Sequence, residues 1–168
     1  SNAWPASRMG DTWMWIREAT FPTDARLDYK FVTDGGRIWS LDPANPLRQW
    51  GGFGPNSVLW MPDYVPSPFV DRVDGRLNGS YTQNQAVASS ALGYTVNYRV
   101  YTPPGYESGL SDLPVVYVTD GHEFADDRLG SMRIVLDNLI AEGLMVPVMA
   151  VFIDPRVASD NLRASRNS

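Results

Sequence analysis

Cysteine is absent from the 168-residue sequence, and histidine occurs only once. The first absence excludes a disulfide framework, a thiolate metal site and a cysteine nucleophile, and it leaves the cellular compartment open. Positive charge is also scarce, because 14 Lys and Arg stand against 19 Asp and Glu. A nucleic acid or an anionic membrane needs a clustered positive field, so we expect neither as a partner. No apolar run approaches the ~20 residues that span a bilayer.

Two apolar runs organise the second half of the chain. Residues 113–118 are followed by Asp120 and Gly121, and residues 146–153 are followed by Asp154 and Pro155. Continuous apolar runs are typical of strands that are buried on both faces of a parallel sheet. The pattern therefore predicts two buried parallel strands, each ending in a polar turn.

The segment between these runs has the spacing of a helix. Apolar residues recur every three or four positions from Leu129 to Ile140, with Asp126 and Asp127 before them and Gly143 after them. Acidic residues favour a helix N-terminus and glycine favours a C-terminal stop. We predict a helix that starts at the two aspartates, which completes a βαβ unit.

The first half of the chain has short β patterns separated by turn residues. We predict strands within residues 13–19, 27–33, 37–40 and 57–61, with a hairpin through Asp34-Gly35-Gly36. A proline-rich joint at residues 62–68 separates them from two further predicted strands, at 75–87 and 91–101. We place the domain boundary in this joint, which gives a small β-sandwich and an α/β domain.

Four segments, in this order, resemble the esterase family of α/β-hydrolases that includes enterochelin-esterase-like enzymes. They are residues 100–106, 113–121, 136–143 and 148–156. Upstream, Tyr29-Lys30-Phe31 and residues 41–46 resemble the immunoglobulin-like N-terminal domain of those enzymes, which is related to glycogen-binding-type modules. The resemblance implies an α/β plus β fold class. It implies a partial immunoglobulin-like β-sandwich at residues 4–66 and the N-terminal portion of an α/β-hydrolase domain at residues 67–168.

The family's nucleophile is a serine in G-x-S-x-G, followed in the chain by an acid and then a histidine. No serine of this sequence stands between two glycines in that way, and His122 precedes any place for the nucleophile. We therefore expect a fragment of a serine esterase that uses no cofactor and is inactive alone. Because of unpaired strand edges, such a fragment is expected to be poorly stable or to self-associate.

The resemblance also implies which residues contribute to the active site. In this family one oxyanion-hole donor comes from the loop after the third strand, which corresponds here to Gly121, His122 and Glu123. The donor would be the backbone N–H of His122 or Glu123, and the alternative is an ordinary strand-to-helix turn. Arg156 follows the second apolar run, where it could contact an anionic or phenolic substrate or serve as a plain surface residue. The acidic residues around His122 do not have the spacing of a metal site, and we predict none.

A second hypothesis is a non-catalytic protein that binds a glycan or a protein partner and has a vestigial α/β domain. Five tryptophans could form a platform on which sugar rings stack: Trp13, Trp15, Trp39, Trp50 and Trp60. Tryptophans on strands are more often part of a core or a domain interface. We therefore favour the esterase, with a small-molecule or glycan ester as its substrate.

Overall fold

A computed structural model describes residues 4–156 of the chain. The chain divides into two units, Ser1–Pro66 and Ser67–Ser168. Within the described residues, no helix has the length and apolar character needed to cross a membrane.

The first unit is made of short strands because prolines, glycines and aspartates repeatedly interrupt the chain. Its strands are β1 (Ser7–Arg8), β2 (Trp15–Ile16), β3 (Arg26–Tyr29), β4 (Phe31–Thr33), β5 (Ile38–Ser40), β6 (Arg48–Gly51) and β7 (Gly54–Trp60). β3, β7 and β6 form an antiparallel sheet, while β1 pairs with β2 and β4 pairs with β5.

The predicted hairpin is confirmed, since Thr33 lies opposite Ile38 across a 3₁₀ turn at Asp34–Gly36. The single strand predicted at 27–33 is wrong, because it divides at Lys30 into two strands of different sheets. β6 was not predicted, since its sequence has neither alternation nor a run of β-branched residues.

A cluster of polar side chains holds the centre of this unit. The hydroxyl of Tyr29 donates to Asp42 Oδ2 at 2.6 Å, and Asn45 Nδ2 donates to Tyr29 Oη at 3.0 Å and to the Val58 carbonyl at 2.7 Å. The Tyr29 hydroxyl and the backbone N–H of Ala44 lower the pKa of Asp42. Burial, followed by the bond to Asp42, raises the pKa of Tyr29, so its hydroxyl stays a donor. The segment at 41–46 is therefore pinned onto β3 and β7 by hydrogen bonds.

The second unit is a mixed sheet with helices. Its strands are β8 (Ser80–Tyr81), β9 (Gln85–Ser89), β10 (Tyr94–Thr102), β11 (Val115–Val118) and β12 (Met149–Asp154). They lie in the order β11-β12-β10-β8, and β9 also pairs with β10. β11 and β12 are parallel, which confirms the βαβ unit, whereas β10 is antiparallel to its neighbours. The strand predicted at 75–87 is too long, because Gly75 has φ +75° in a turn that precedes β8.

The two strands of the βαβ unit are not equally buried. β12 contains Ala150 and Phe152, which are both buried. In β11 only Val118 is buried, whereas Tyr117 is 70% exposed. The prediction that both runs are buried on both faces is wrong, because β11 is mostly exposed and burial alternates along β12 between fully and partly buried residues.

Two helices follow β11, namely α1 (Gly121–Phe124) and α2 (Met132–Ala141). The predicted helix start at Asp126 is wrong, since Asp126 and Asp127 lie in the turn between them. Ser131, with φ +49°, separates the two helices because its backbone is left-handed. The preceding residue, Gly130, packs closely against Phe124 of α1. The predicted stop is confirmed, as Gly143 follows α2 with φ +68°.

The core of this unit lies between α2 and the sheet. It contains Tyr101, Val118, Leu136, Val148, Ala150 and Phe152. Asn138 of α2 links the segment before β8 to this core. Its Nδ2 donates to the carbonyls of Phe69 at 2.8 Å and Asp71 at 2.9 Å. Arg76 Nη1 donates in turn to Asn138 Oδ1 at 2.9 Å.

Candidate active site

A cavity of about 240 Å³ opens at the end of β12, beside the loop that follows β11. Among the residues predicted from the sequence, Gly121, His122 and Arg156 line it. Glu123 is next to them in the chain but is not part of the lining. The volume is below the ~300–1,000 Å³ of pockets that enclose a drug-sized ligand. It would hold one small group of a substrate.

The loop after β11 packs tightly onto β12. A Cβ atom added to Gly121 would lie 2.4 Å from the backbone N of Ile153 and 2.4 Å from the backbone C of Phe152. The residue with positive φ is the preceding one, Asp120, at +53°. Glycine is therefore required at position 121 for the close approach of two backbones, while Asp120 makes the turn.

The two candidate backbone donors of this loop differ in their bonding. The N–H of Glu123 donates to the Asp120 carbonyl at 2.9 Å, which closes the turn. Within residues 4–156, the N–H of His122 donates to no protein acceptor. An N–H in that state is available to a ligand or to water.

The imidazole of His122 lies between two carboxylates. Its Nδ1 is 3.5 Å from Asp154 Oδ1, and its Nε2 is 3.6 Å from Glu123 Oε1. Nδ1 is buried and has no hydrogen-bond partner among residues 4–156, because 3.5 Å is beyond the usual bond length.

Asp154 and Arg156 form a bidentate pair at the end of β12. Arg156 Nε donates to Asp154 Oδ1 at 2.8 Å and its Nη2 donates to Oδ2 at 2.6 Å, while the Arg156 N–H donates to Oδ1 at 3.0 Å. Burial acts to raise the pKa of Asp154, but the bonds from Arg156 outweigh it and lower that pKa. The same pair raises the pKa of Arg156. The charge of Arg156 is thus largely compensated.

Arg99 of β10 also lines the cavity and was not predicted. Its guanidinium has no carboxylate partner within the described residues. The sequence carried no signal for it, since an arginine at an exposed position of an alternating strand is ordinary. Its place beside β12 follows from the strand register, which sets Arg99 opposite Phe152.

Two other features of the sequence can be located. Across residues 4–156, no three side chains of the His, Cys, Asp and Glu types are grouped so as to hold a metal ion. The five tryptophans are all exposed, and none lies in a core: Trp13, Trp15, Trp39, Trp50 and Trp60.

Comparisons with known proteins show what the second unit is similar to. Residues 89–167 match the family model described as "Putative esterase". A comparison with curated protein sequences found no match.

Solved structures give the same fold. The enterobactin esterase of Shigella flexneri, solved in the presence of enterobactin, superposes with a TM-score of 0.62 at 19% identity, over 89% of this chain and 42% of that one. The ferric enterobactin esterase of Salmonella typhimurium gives 0.58 at 19% identity, over 89% and 43%. This chain therefore spans less than half the length of either relative. Through residues 89–167, the chain is similar to this esterase family.

Proposed function

We propose that this chain acts as part of a serine-type carboxylic ester hydrolase. The observation that carries the proposal is the N–H of His122 at a cavity, which donates to no acceptor among the described residues and lies within a segment that matches the esterase family. The nucleophilic serine and the triad histidine would lie outside these 168 residues, which contain no G-x-S-x-G. In the complete enzyme, residues 4–66 would be a partial immunoglobulin-like β-sandwich and residues 67–168 the first portion of an α/β-hydrolase domain.

The loop at Gly121, His122 and Glu123 would supply one edge of the oxyanion hole. When a serine attacks the ester carbonyl, negative charge develops on the carbonyl oxygen, and a preorganised N–H stabilises it. Of the two candidates we favour His122, because the N–H of Glu123 is already engaged by Asp120. The intermediate would then expel the alcohol and leave an acyl-enzyme for water to hydrolyse.

Arg156 would contact the substrate from the cavity wall. Its Nε and Nη2 are engaged by Asp154, so Nη1 is the part of the guanidinium that could reach a substrate oxygen. The substrate would be a small-molecule or glycan ester. No cofactor is needed for such chemistry, and neither nucleic acid nor a membrane is proposed as a partner.

The proposal predicts that the 168-residue chain is inactive by itself. It should hydrolyse p-nitrophenyl acetate no faster than the same chain after denaturation, because it can hold an oxyanion but cannot form an acyl-enzyme. The release of p-nitrophenol measures this. The protein encoded by the longer reading frame should show turnover that a serine-directed phosphonate abolishes. Phosphonate-sensitive turnover by the 168-residue chain would contradict the proposal that the nucleophilic serine lies outside these residues.

The exposed tryptophans favour a second candidate, a glycan-binding protein with a vestigial α/β domain. Trp13 is 85% exposed and Trp15 is 66% exposed, and exposed rings can stack on sugars. A reading frame that encodes G-x-S-x-G, then an acid and a histidine, after this segment would favour the esterase. A frame without them would favour glycan binding.

A further inference from the structure

Some charged side chains that line the cavity have a partner of opposite charge, and others do not. Of the carboxylates in its lining, Asp154 is held by Arg156, and Asp126 is bonded by Arg128 at 3.2 and 3.3 Å. Both aspartates have a pKa below the ordinary value. For Asp126 the hydrogen bonds from Arg128 are the main cause. For Asp154 burial acts to raise the pKa, but the hydrogen bonds from Arg156 outweigh it. Each therefore remains an anion whose charge is balanced by a neighbouring arginine.

Arg99 is the cation of this lining that no carboxylate balances in the described residues. The remaining acid nearby, Glu123, faces Nε2 of His122 and lies outside the lining. An unbalanced guanidinium at a concave surface attracts anions, and its fork of N–H donors matches the two oxygens of a carboxylate.

The residues that line the cavity beside Arg99 are suited to a planar ring of a ligand. Phe152 is buried beneath the cavity, and the rings of Tyr98 and His122 line it. Asn84 adds a polar group at the rim, where its Nδ2 donates to Asn97 Oδ1 at 3.2 Å. At about 240 Å³ the cavity has room for one ring with its substituents, since a water in the liquid occupies about 30 Å³.

We propose that this cavity is a subsite for a negatively charged group of the ester substrate, held by the guanidinium of Arg99. The inference rests on the proposed esterase function and narrows its substrates to esters that also bear an acidic group. The acid end would bind at Arg99 while the ester carbonyl lies near the N–H of His122, because both groups line the same cavity.

Benzoate is a suitable probe, because benzamide has the same shape without the charge. The imidazole of His122 gives a unique NMR signal, since the chain has a single histidine. Titration of the 168-residue chain with benzoate should shift that signal and saturate, whereas benzamide should shift it little. Arg99→Gln should weaken benzoate binding at least about tenfold, as expected for a hydrogen bond to a charged group. Arg99→Lys should retain part of the affinity, and 0.5 M salt should reduce it by screening.

Arg17→Gln serves as the matched control, because Arg17 is an exposed arginine of the first unit. Its benzoate affinity should equal that of the unmodified chain. No saturable benzoate shift, equal binding of benzamide, or full binding by Arg99→Gln would each overturn the subsite. The titration involves no turnover, so such a failure would leave the esterase function standing. An inactive full-length protein would remove that function without affecting the benzoate result.

Discussion

Asp137 illustrates, at the scale of single residues, a buried acidic side chain that serves folding. It is 2% exposed, and its Oδ1 accepts hydrogen bonds from the Tyr101 hydroxyl and the Gly79 N–H, both at 2.8 Å. Burial, together with the bond to Asp137, raises the pKa of Tyr101 and keeps its hydroxyl a donor. Asp137 thereby joins α2, β10 and the segment before β8. The sequence marked this aspartate as part of a family motif but could not assign its role.

Asp137→Ala should destabilise the second unit by roughly 2–6 kcal/mol, because it leaves two buried donors without an acceptor, at about 1–3 kcal/mol each. Asp137→Asn should cost less, since its amide oxygen can still accept. Hydrogen exchange of the β12 amides measures the loss. Asp74→Ala is the control, because Asp74 is exposed and should change stability by less than about 0.5 kcal/mol. Equal protection of the β12 amides from exchange in Asp137→Ala and Asp74→Ala would contradict the structural role of Asp137.

The elements differ in how far the sequence could predict them. Apolar spacing found α2 but started it too early, because Leu129 continues the helical pattern through a turn. The break depends on the left-handed backbone of Ser131 and the packing of Gly130 on Phe124, which are tertiary features. The exposure of the β11 side chains is likewise a tertiary feature, because it depends on what packs against the faces of that strand. Arg99 is the clearest omission at the site, since only the register of β10 against β12 brings it there.

The contact between α1 and β12 should tolerate no side chain at position 121. Gly121→Ala would place a methyl group against the backbone of Phe152 and Ile153. Backbone atoms cannot move aside as the end of a flexible side chain can. We expect a loss of about 1–3 kcal/mol or more, as for other overpacked sites. Thermal unfolding followed by circular dichroism tests this.

Gly51→Ala is the matched control for that change, because the nearest atom to its added Cβ would be the Gly54 carbonyl oxygen at 3.8 Å. Its unfolding midpoint should stay near that of the unmodified chain. If Gly121→Ala unfolded at the same temperature as Gly51→Ala, the close approach to β12 would not be a constraint.

At the scale of the whole molecule, the open edge of the second unit's sheet is the feature most relevant to behaviour in solution. Within the described residues β11 pairs only with β12, so its other edge has no strand partner among them. The adjacent side chains Val115, Val116 and Tyr117 are apolar or aromatic and exposed. A flat, apolar strand edge of this kind can pair with the same edge of another molecule.

We therefore predict that the 168-residue chain self-associates through β11. In sedimentation velocity its mean sedimentation coefficient should rise with concentration. Tyr117→Lys should shift the population towards monomer, because a charge on an edge strand opposes pairing. Leu77→Lys, which adds the same charge at another exposed apolar position of the second unit, should leave association unchanged. A chain that stays monomeric at every concentration, or equal association of the two lysine variants, would show that β11 is not the contact.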